Sequence, residues 1–429
     1  MIGNVRRLSV CTAAGLLLTA GCGGAGSDDG AAGTGKIRVV ALSLGAPGDQ
    51  NPMRVAAREF ESRNPGTKVE VTMYEFTQFD QVVRAQINGG SPPDVVQTVL
   101  GYGNATALKT LAKANVLTDL SDQAWAGSIP EQAKGPSGLD GKIYAYPPMY
   151  GLIGAVYNAK TLKDLGVTPP TKYSEVLAYC STMKSKGKTP IALGAQTPIA
   201  TVFMSYALAA STAYAERPSF NEDRLTGGAT FSGSKGWLRS LEQFSEMNRA
   251  GCFGSAPTGV AYQASLQQVA TGKAGMVVNV IEGLATLRSM APKADFRMVA
   301  LPSGDDAATT RVPAAPSAGF AIPKRAKKAE LAKKFVSFMA EDGISTRYAE
   351  GVGSVPVAGI GSAGTARFPA GTEAMKGYVA TGKSMIYPSQ YWPAPEVNAA
   401  LERGLTGMLS DQTKPAEILK SMDAAWKVS

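Results

Sequence analysis

The sequence predicts an α/β protein of more than one domain, with helices packed on both faces of a parallel, doubly wound sheet. Three observations lead there. At about 100–200 residues per domain, 429 residues make two or three domains, each long enough to bury a core. Apolar residues make up 44% and charged residues 18%, which fits a globular chain. That composition excludes disorder throughout, a multi-span membrane protein and a small disulfide scaffold. Between residues 36 and 114 the hydrophobic period switches repeatedly between two and 3.6, in the order strand, helix, strand, helix, strand, helix.

Residues 36–44 (KIRVVALSL) form a buried strand. Asn51-Pro52 is an N-cap followed by proline at the first helical position, and Asn64-Pro65-Gly66 stops that helix. Residues 67–76 alternate as a second strand, with Val69, Val71 and Met73 on one face. A helix over 79–87 ends at Gly89-Gly90-Ser91-Pro92-Pro93, Asp94-Val95-Val96 opens a third strand, and 107–114 is helical. Ligands of such sheets sit beyond the carboxyl ends of the strands. The first candidate contacts are therefore Asp49, Asn51, Glu75, Phe76, Gln97, Thr98 and Tyr102.

A second lobe begins after the segment from Gly141 to Pro148. Its helices span 174–184 and 236–249, the latter carrying Trp237, Leu241 and Phe244 as a core stripe. Its strands are 152–156, 190–193, 276–281 and 296–301.

The N-terminus reads as an address. Arg6 and Arg7 precede an apolar run, Leu8 to Ala20, far short of the ~20 residues that span a bilayer. Leu18-Thr19-Ala20-Gly21-Cys22 then resembles a bacterial lipobox, which implies cleavage after residue 21 and acylation of the Cys22 thiol. Residues 22–35 hold only small and polar side chains after Cys22, a flexible tether with a reach of about 20 Å. The chain is expected at the extracellular face of the cell membrane, or in the periplasm of a double-membrane cell.

Histidine is absent, which excludes Ser-His-Asp and Cys-His catalysis and His-ligated zinc. The formal charge is +9, and loss of Arg6 and Arg7 leaves a weak field near +7. Its densest cluster, Lys324-Arg325-Ala326-Lys327-Lys328 with Lys333-Lys334, fits the solvated face of a helix, so no nucleic-acid partner is expected. Gly187-Lys188-Thr189 lacks the first P-loop glycine, and Gly359-x-Gly361-x-x-Gly364 lies between Pro356 and Pro369 with no acidic residue about 20 positions on. Ser181-x-x-Lys184 has no Lys-Thr-Gly partner. No cofactor or metal is expected, because the cysteines stand at 11, 22, 180 and 252 with no ligand cluster. Cys180 and Cys252 fall in one lobe; they are expected to be bonded, with two buried free thiols the alternative that geometry decides.

Several fragments together carry a family resemblance. In order they are the lipobox; Phe60-Glu61 with Pro65-Gly66 and Val69; Gly90-x-Pro92-x-Asp94-Val95-Val96; Gly141 to Pro147 with Tyr157-Asn158; Gly272 to Met276; Leu301-Pro302; Gly319-Phe320-Ala321-Ile322-Pro323; and Pro415 to Leu419. The chain resembles the extracellular solute-binding proteins of the carbohydrate class that feed ABC importers, similar to maltose-type binding proteins. The resemblance implies two α/β lobes of the periplasmic-binding-protein type, joined by hinge strands and closing on a sugar. Lobe I would be 36–147 plus 302–342, and lobe II 148–301 plus 343–429. The implied partners are a small carbohydrate, the permease subunits of an importer and the membrane through the lipid anchor; a monomer is expected.

Sugars present an apolar C–H face and a polar rim, which aromatic platforms and Asp, Glu, Asn, Gln and Arg recognise. Tyr391-Trp392, between Pro388 and Pro393, matches a late stacking position of the family, and Tyr150 follows the first hinge crossing. After Gly272 to Met276 the family often places a cleft Trp; here Asn279 precedes Glu282 at that place. A carboxylate there exchanges a stacking surface for a hydroxyl acceptor, which favours a smaller or differently decorated sugar than a linear maltodextrin. The alternatives are a non-sugar solute, such as a peptide or polyol phosphate, and a secreted glycoside hydrolase using Glu75 and Glu282.

Overall fold

In the first strand, Gly35–Leu42, successive side chains serve two different cores. Ile37, Val39 and Ala41 pack with the helices Pro52–Arg63 and Ala329–Met339, whereas Val40 and Leu42 pack with Phe79, Val83, Leu108 and Leu111. The period of two thus buries both faces under helices, as the doubly wound reading expects. This is a computed structural model that describes residues 35–361 and 366–427. The expected signal peptide, Cys22 and nearly all of the tether lie outside the described residues.

The smaller sheet has the strand order Thr67–Tyr74, Gly35–Leu42, Val95–Val99, Ala318–Ala321, Ala145–Tyr146. The first three strands are parallel, and Ala318–Ala321 runs antiparallel to its neighbours. The larger sheet centres on Met149–Asn158, which pairs with Ala274–Val280, Phe296–Val299, Val312–Pro316 and Val355–Pro356. Helices Tyr173–Ser185, Ile199–Ser211, Lys235–Arg249 and Pro395–Leu409 enclose the core of this lobe, with Trp237, Leu241 and Phe244 fully buried. Cys180 and Cys252 form a disulfide there, with Cα atoms 5.1 Å apart.

The chain passes between sheets three times. Pro147-Pro148 links Tyr146 of the smaller sheet to Met149 of the larger. The return falls at Ser317, between Pro316 of the larger sheet and Ala318 of the smaller, and not at 302. The strand Val312–Pro316 carries two prolines, so it reads as a loop in sequence, yet it pairs with both Met149–Asn158 and Ser384–Met385. The third passage follows helix Asp342–Gly351, not residue 342. Arg347 of that helix bonds Glu59 at 2.7 Å, and Tyr348 packs on Phe320 with ring centroids 5.5 Å apart, which ties the helix to the smaller lobe. Ser354 then leads into Val355–Pro356 of the larger sheet.

The basic run 324–328 also differs from its expected place. It forms the turn before helix Ala329–Met339, so only Lys333 and Lys334 of that cluster are helical.

Candidate functional site

Just past the third parallel strand of the smaller lobe, the Leu100 amide donates to the Ser317 carbonyl at 3.3 Å, and Ser317 leads to the turn of the larger lobe where strand Ala274–Val280 gives way to helix Gly283–Met290. Glu282 stands at this turn and is 7% exposed. Its Oε1 accepts a hydrogen bond from the Ser317 hydroxyl at 3.1 Å. The Ser354 hydroxyl lies 3.0 Å from the same oxygen and 3.1 Å from the Tyr150 carbonyl, so its single proton is shared between two acceptors. Burial raises the carboxyl pKa above its ordinary value, and the backbone amide of Glu282 with the hydroxyls of Ser354 and Ser317 offsets part of the rise.

Four buried polar atoms around this point have no hydrogen-bond partner among the described residues: Glu282 Oε2, Asn279 Nδ2, the Tyr387 hydroxyl and Gln390 Oε1. Buried polar groups are ordinarily paired, so such a group of orphans marks a place built for a ligand or ordered water. The backbone at Gly151 passes close by. A Cβ there would lie 2.6 Å from the Tyr387 hydroxyl oxygen and 3.2 Å from Glu282 Oε1, so only glycine fits.

Tyr262 opens the helix Tyr262–Ala270 of the larger lobe. Its hydroxyl donates to Asn279 Oδ1 at 2.9 Å. Its pKa is pushed up to about 12, chiefly by burial, with the carboxylates of Glu282 and Glu75 adding to the rise. Glu75 itself is exposed, just before helix Phe76–Asn88 of the smaller lobe. Tyr387 and Tyr348 also have raised pKa values, caused first by burial and then by the Glu282 carboxylate.

The remaining sequence candidates separate into surroundings and framework. Tyr102 is half-buried; its amide donates to the Gln390 carbonyl at 3.1 Å, and Lys109 Nζ lies 5.4 Å from its ring centroid. Tyr391 is partly exposed and lines a groove of about 320 Å³ with Lys109, Gln132, Pro136 and Gln390. Gln97 is fully buried beneath the strand ends, where it accepts from the Leu42 amide and donates to the Tyr348 hydroxyl. Thr98 is buried and bonds the Thr106 carbonyl at 2.6 Å. Asn51 is buried as the N-cap of helix Pro52–Arg63, accepting from the Met53 amide and donating to the carbonyls of Leu44 and Ala46. Asp49 is exposed and faces Arg58. Phe76 opens its helix, and its side chain lies outside what the structure describes.

Two expected platforms are core residues instead. Trp392 is 0% exposed and packs among Tyr206, Phe231 and Trp237, so it offers no face to a solute. The 3-10 turn Pro388–Tyr391 leaves Tyr391 half-exposed while its neighbour Trp392 enters the core. Tyr150 is 3% exposed, with its hydroxyl on the Ala314 carbonyl at 3.1 Å. Sequence reasoning missed Tyr262, Ser317, Ser354, Tyr387 and Gln390. Tyr387 and Gln390 stand just before the proline-bounded Tyr391-Trp392 pair, which was the available signal for them.

Against this geometry, a family profile described as bacterial extracellular solute-binding protein matches residues 46–344. The chain belongs to that family. Among its relatives, this solute-binding protein is 24% identical over 136 residues to the multiple sugar-binding protein of Streptococcus mutans, covering 32% of this chain and 31% of that one. It is 24% identical over 182 residues to the melibiose/raffinose/stachyose-binding protein MelE of Bacillus subtilis, covering 41% of this chain and 39% of that one. These matches therefore span between about a third and two fifths of the relatives' length. The bacterial solute receptor AcbH, described as having an exclusive preference for β-D-galactopyranose, shares the fold with a TM-score of 0.76 at 18% identity, over 91% of this chain and 98% of that one. The two-lobed α/β architecture is thus that of the family.

Proposed function

We propose that the chain is the membrane-anchored, extracellular solute-binding component of an ABC sugar importer, capturing a mono- or oligosaccharide between its lobes. One observation carries the reading. Glu282 Oε2, Asn279 Nδ2, the Tyr387 hydroxyl and Gln390 Oε1 are buried without partners at the junction of the lobes of a solute-binding protein. Such a mixed set of donors and acceptors is complementary to sugar hydroxyls, which both donate and accept. The half-buried Tyr391 and Tyr262 supply aromatic faces for the C–H side of a pyranose. The named ligands of the relatives, several of them galactosides, set the first probes.

A thermal-shift screen over galactose, melibiose, raffinose and stachyose, with peptides and polyol phosphates beside them, tests the reading. Ligand at a hundredfold excess over its Kd stabilises the folded state by about 2.7 kcal/mol. A sugar is expected to raise Tm; a rise with peptides or polyol phosphates alone would reject the carbohydrate assignment. The protein acts by binding and release, so chromogenic glycosides are expected to remain intact.

The anchor part of the proposal stands on the lipobox at 18–22 and the small-residue tether that follows. Replacing Cys22 by Ser is expected to move the protein from the membrane fraction to the medium. The same distribution in the variant and the parent would reject the lipid anchor. The bound protein then presents its solute to permease subunits as a monomer, with no cofactor and no nucleic acid involved.

A further inference from the structure

Two of the three interlobe passages reach one carboxylate oxygen. Ser317, the single residue between a strand of the larger sheet and a strand of the smaller, donates to Glu282 Oε1 at 3.1 Å. Ser354, on the passage from helix Asp342–Gly351 to the larger sheet, stands 3.0 Å from the same oxygen. Gly151, in the strand that follows Pro147-Pro148, leaves room for the carboxylate, because a Cβ there would be 3.2 Å from Oε1. Glu282 itself belongs to the larger lobe, outside all three passages. Oε2 of the same group is buried and unpartnered.

We infer that Glu282 is the positioning residue that couples solute occupancy to the angle between the lobes. The inference deepens the sugar-binding reading and takes Oε2 as the solute-facing oxygen. Hinge closure is absorbed by a few residues at the ends of elements, and Ser317 and Ser354 are such residues here. Their contacts to Oε1 are already at the long side of O–H···O geometry, so a small rotation at either passage breaks them. The pair of contacts therefore favours the interlobe angle seen in this structure over others. A carboxylate is planar, so a hydroxyl donated to Oε2 fixes the orientation of Oε1 as well. Solute binding and hinge geometry are in this way two loads on one rigid group, and each strengthens the other. The recorded side-chain partners of the Glu282 carboxylate are the Ser317 and Ser354 hydroxyls, so it is directed by hydroxyls.

The test is single-molecule energy transfer between dyes on bioorthogonal side chains at the exposed Gln81 and Lys420, one on each lobe, in the full chain. Without any sugar, Ser317→Ala/Ser354→Ala and Glu282→Ala are expected to move the population toward a different interlobe distance by roughly fivefold or more. Glu282→Gln keeps an acceptor oxygen for the two serines and is expected to restore the parent distribution, which a role of the charge alone would not predict, whereas a role of bulk alone would leave the distribution unmoved in Ser317→Ala/Ser354→Ala, where Glu282 is intact. Ser317→Ala alone, which removes one hydroxyl, serves if the double variant does not fold. An unchanged sugar-free distribution in Ser317→Ala/Ser354→Ala and in Glu282→Ala overturns the coupling. A shifted sugar-free distribution supports it even if no sugar binds the parent protein, so the hinge role and the sugar reading fail separately.

Discussion

Trp392 meets Phe231 edge to face, with ring centroids 5.4 Å apart and planes at 85°. Tyr206 and Trp237 complete the enclosure at 6.0 Å each. The loop that looked like a ligand platform is therefore the plug of the larger lobe's core. Aromatic pairs of this geometry add to the transfer energy of burying so large a ring. Trp392→Ala is expected to destabilise the protein by about 3–5 kcal/mol, because the cavity collapses only partly. Urea unfolding followed by near-ultraviolet circular dichroism measures it. Full stability with lost sugar affinity would return Trp392 to the cleft.

The disulfide closes a long loop, with Cys180 and Cys252 separated by 72 positions in the sequence. It joins helix Tyr173–Ser185 to the segment after helix Lys235–Arg249. Constraint of the unfolded chain accounts for about 2–4 kcal/mol in such a link. Replacing both cysteines by Ala is expected to lower unfolding stability by that amount while leaving sugar binding near the parent value, since neither residue touches the candidate site. Denaturant titration beside calorimetric binding checks both halves of the statement.

What the sequence disclosed and what it hid divide along one line. Local periodicity placed strand Gly35–Leu42, its Asn51-capped successor helix and the Trp237-Leu241-Phe244 stripe, because burial there follows from neighbours on the same element. The Ser317–Glu282 and Ser354–Glu282 contacts join residues 35 and 72 positions apart, and no local pattern encodes them. Trp392 was misread for a related reason. Its proline-bounded loop has no stripe of its own, but Phe231, 161 positions earlier in the numbering, supplies the core it enters. The passage expected at Leu301-Pro302 moved to Ser317 because Pro313 and Pro316 disguise a paired strand. Asn279 and Glu282 were legible as candidate site residues only through the family resemblance, and their unpartnered atoms became visible only once the fold buried them.

The raised pKa of Glu282 makes its effect on stability depend on pH. The folded carboxyl lies above its ordinary value of 4.5, so the folded state holds this proton more tightly than the unfolded chain. Stability from this group is fully present below the unfolded pKa and is lost as pH rises through the folded pKa. Glu282→Gln removes the ionisation and keeps the shape. The variant is expected to melt above the parent at pH 8, with the gap shrinking steadily toward pH 4. Paired melting curves across that range decide it: a gap that is constant, or that widens in acid, would contradict the burial of an ionised Glu282.

Gly151 sets how close the backbone can come to the carboxylate. A methyl group there would stand 2.6 Å from the Tyr387 hydroxyl oxygen, below any real Cβ contact, and 3.2 Å from both Glu282 Oε1 and Ser317 Cβ. The strand Met149–Asn158 is the centre of the larger sheet and cannot retreat without breaking its pairing with Ala274–Val280 and Val312–Pro316. Strain must therefore fall on the side chains, and the Tyr387 ring and the Glu282 carboxylate are the groups displaced. Gly151→Ala is expected to cost about 1–3 kcal/mol of stability by overpacking. It is also expected to weaken sugar binding by at least tenfold, about 1.4 kcal/mol, because both displaced groups carry unpartnered polar atoms at the candidate site. Calorimetric titration with the best sugar of the screen, run beside urea unfolding, separates the two effects. A variant that is destabilised yet binds with the parent's affinity would show that Tyr387 and Glu282 yield without consequence, and that the solute is held elsewhere in the cleft.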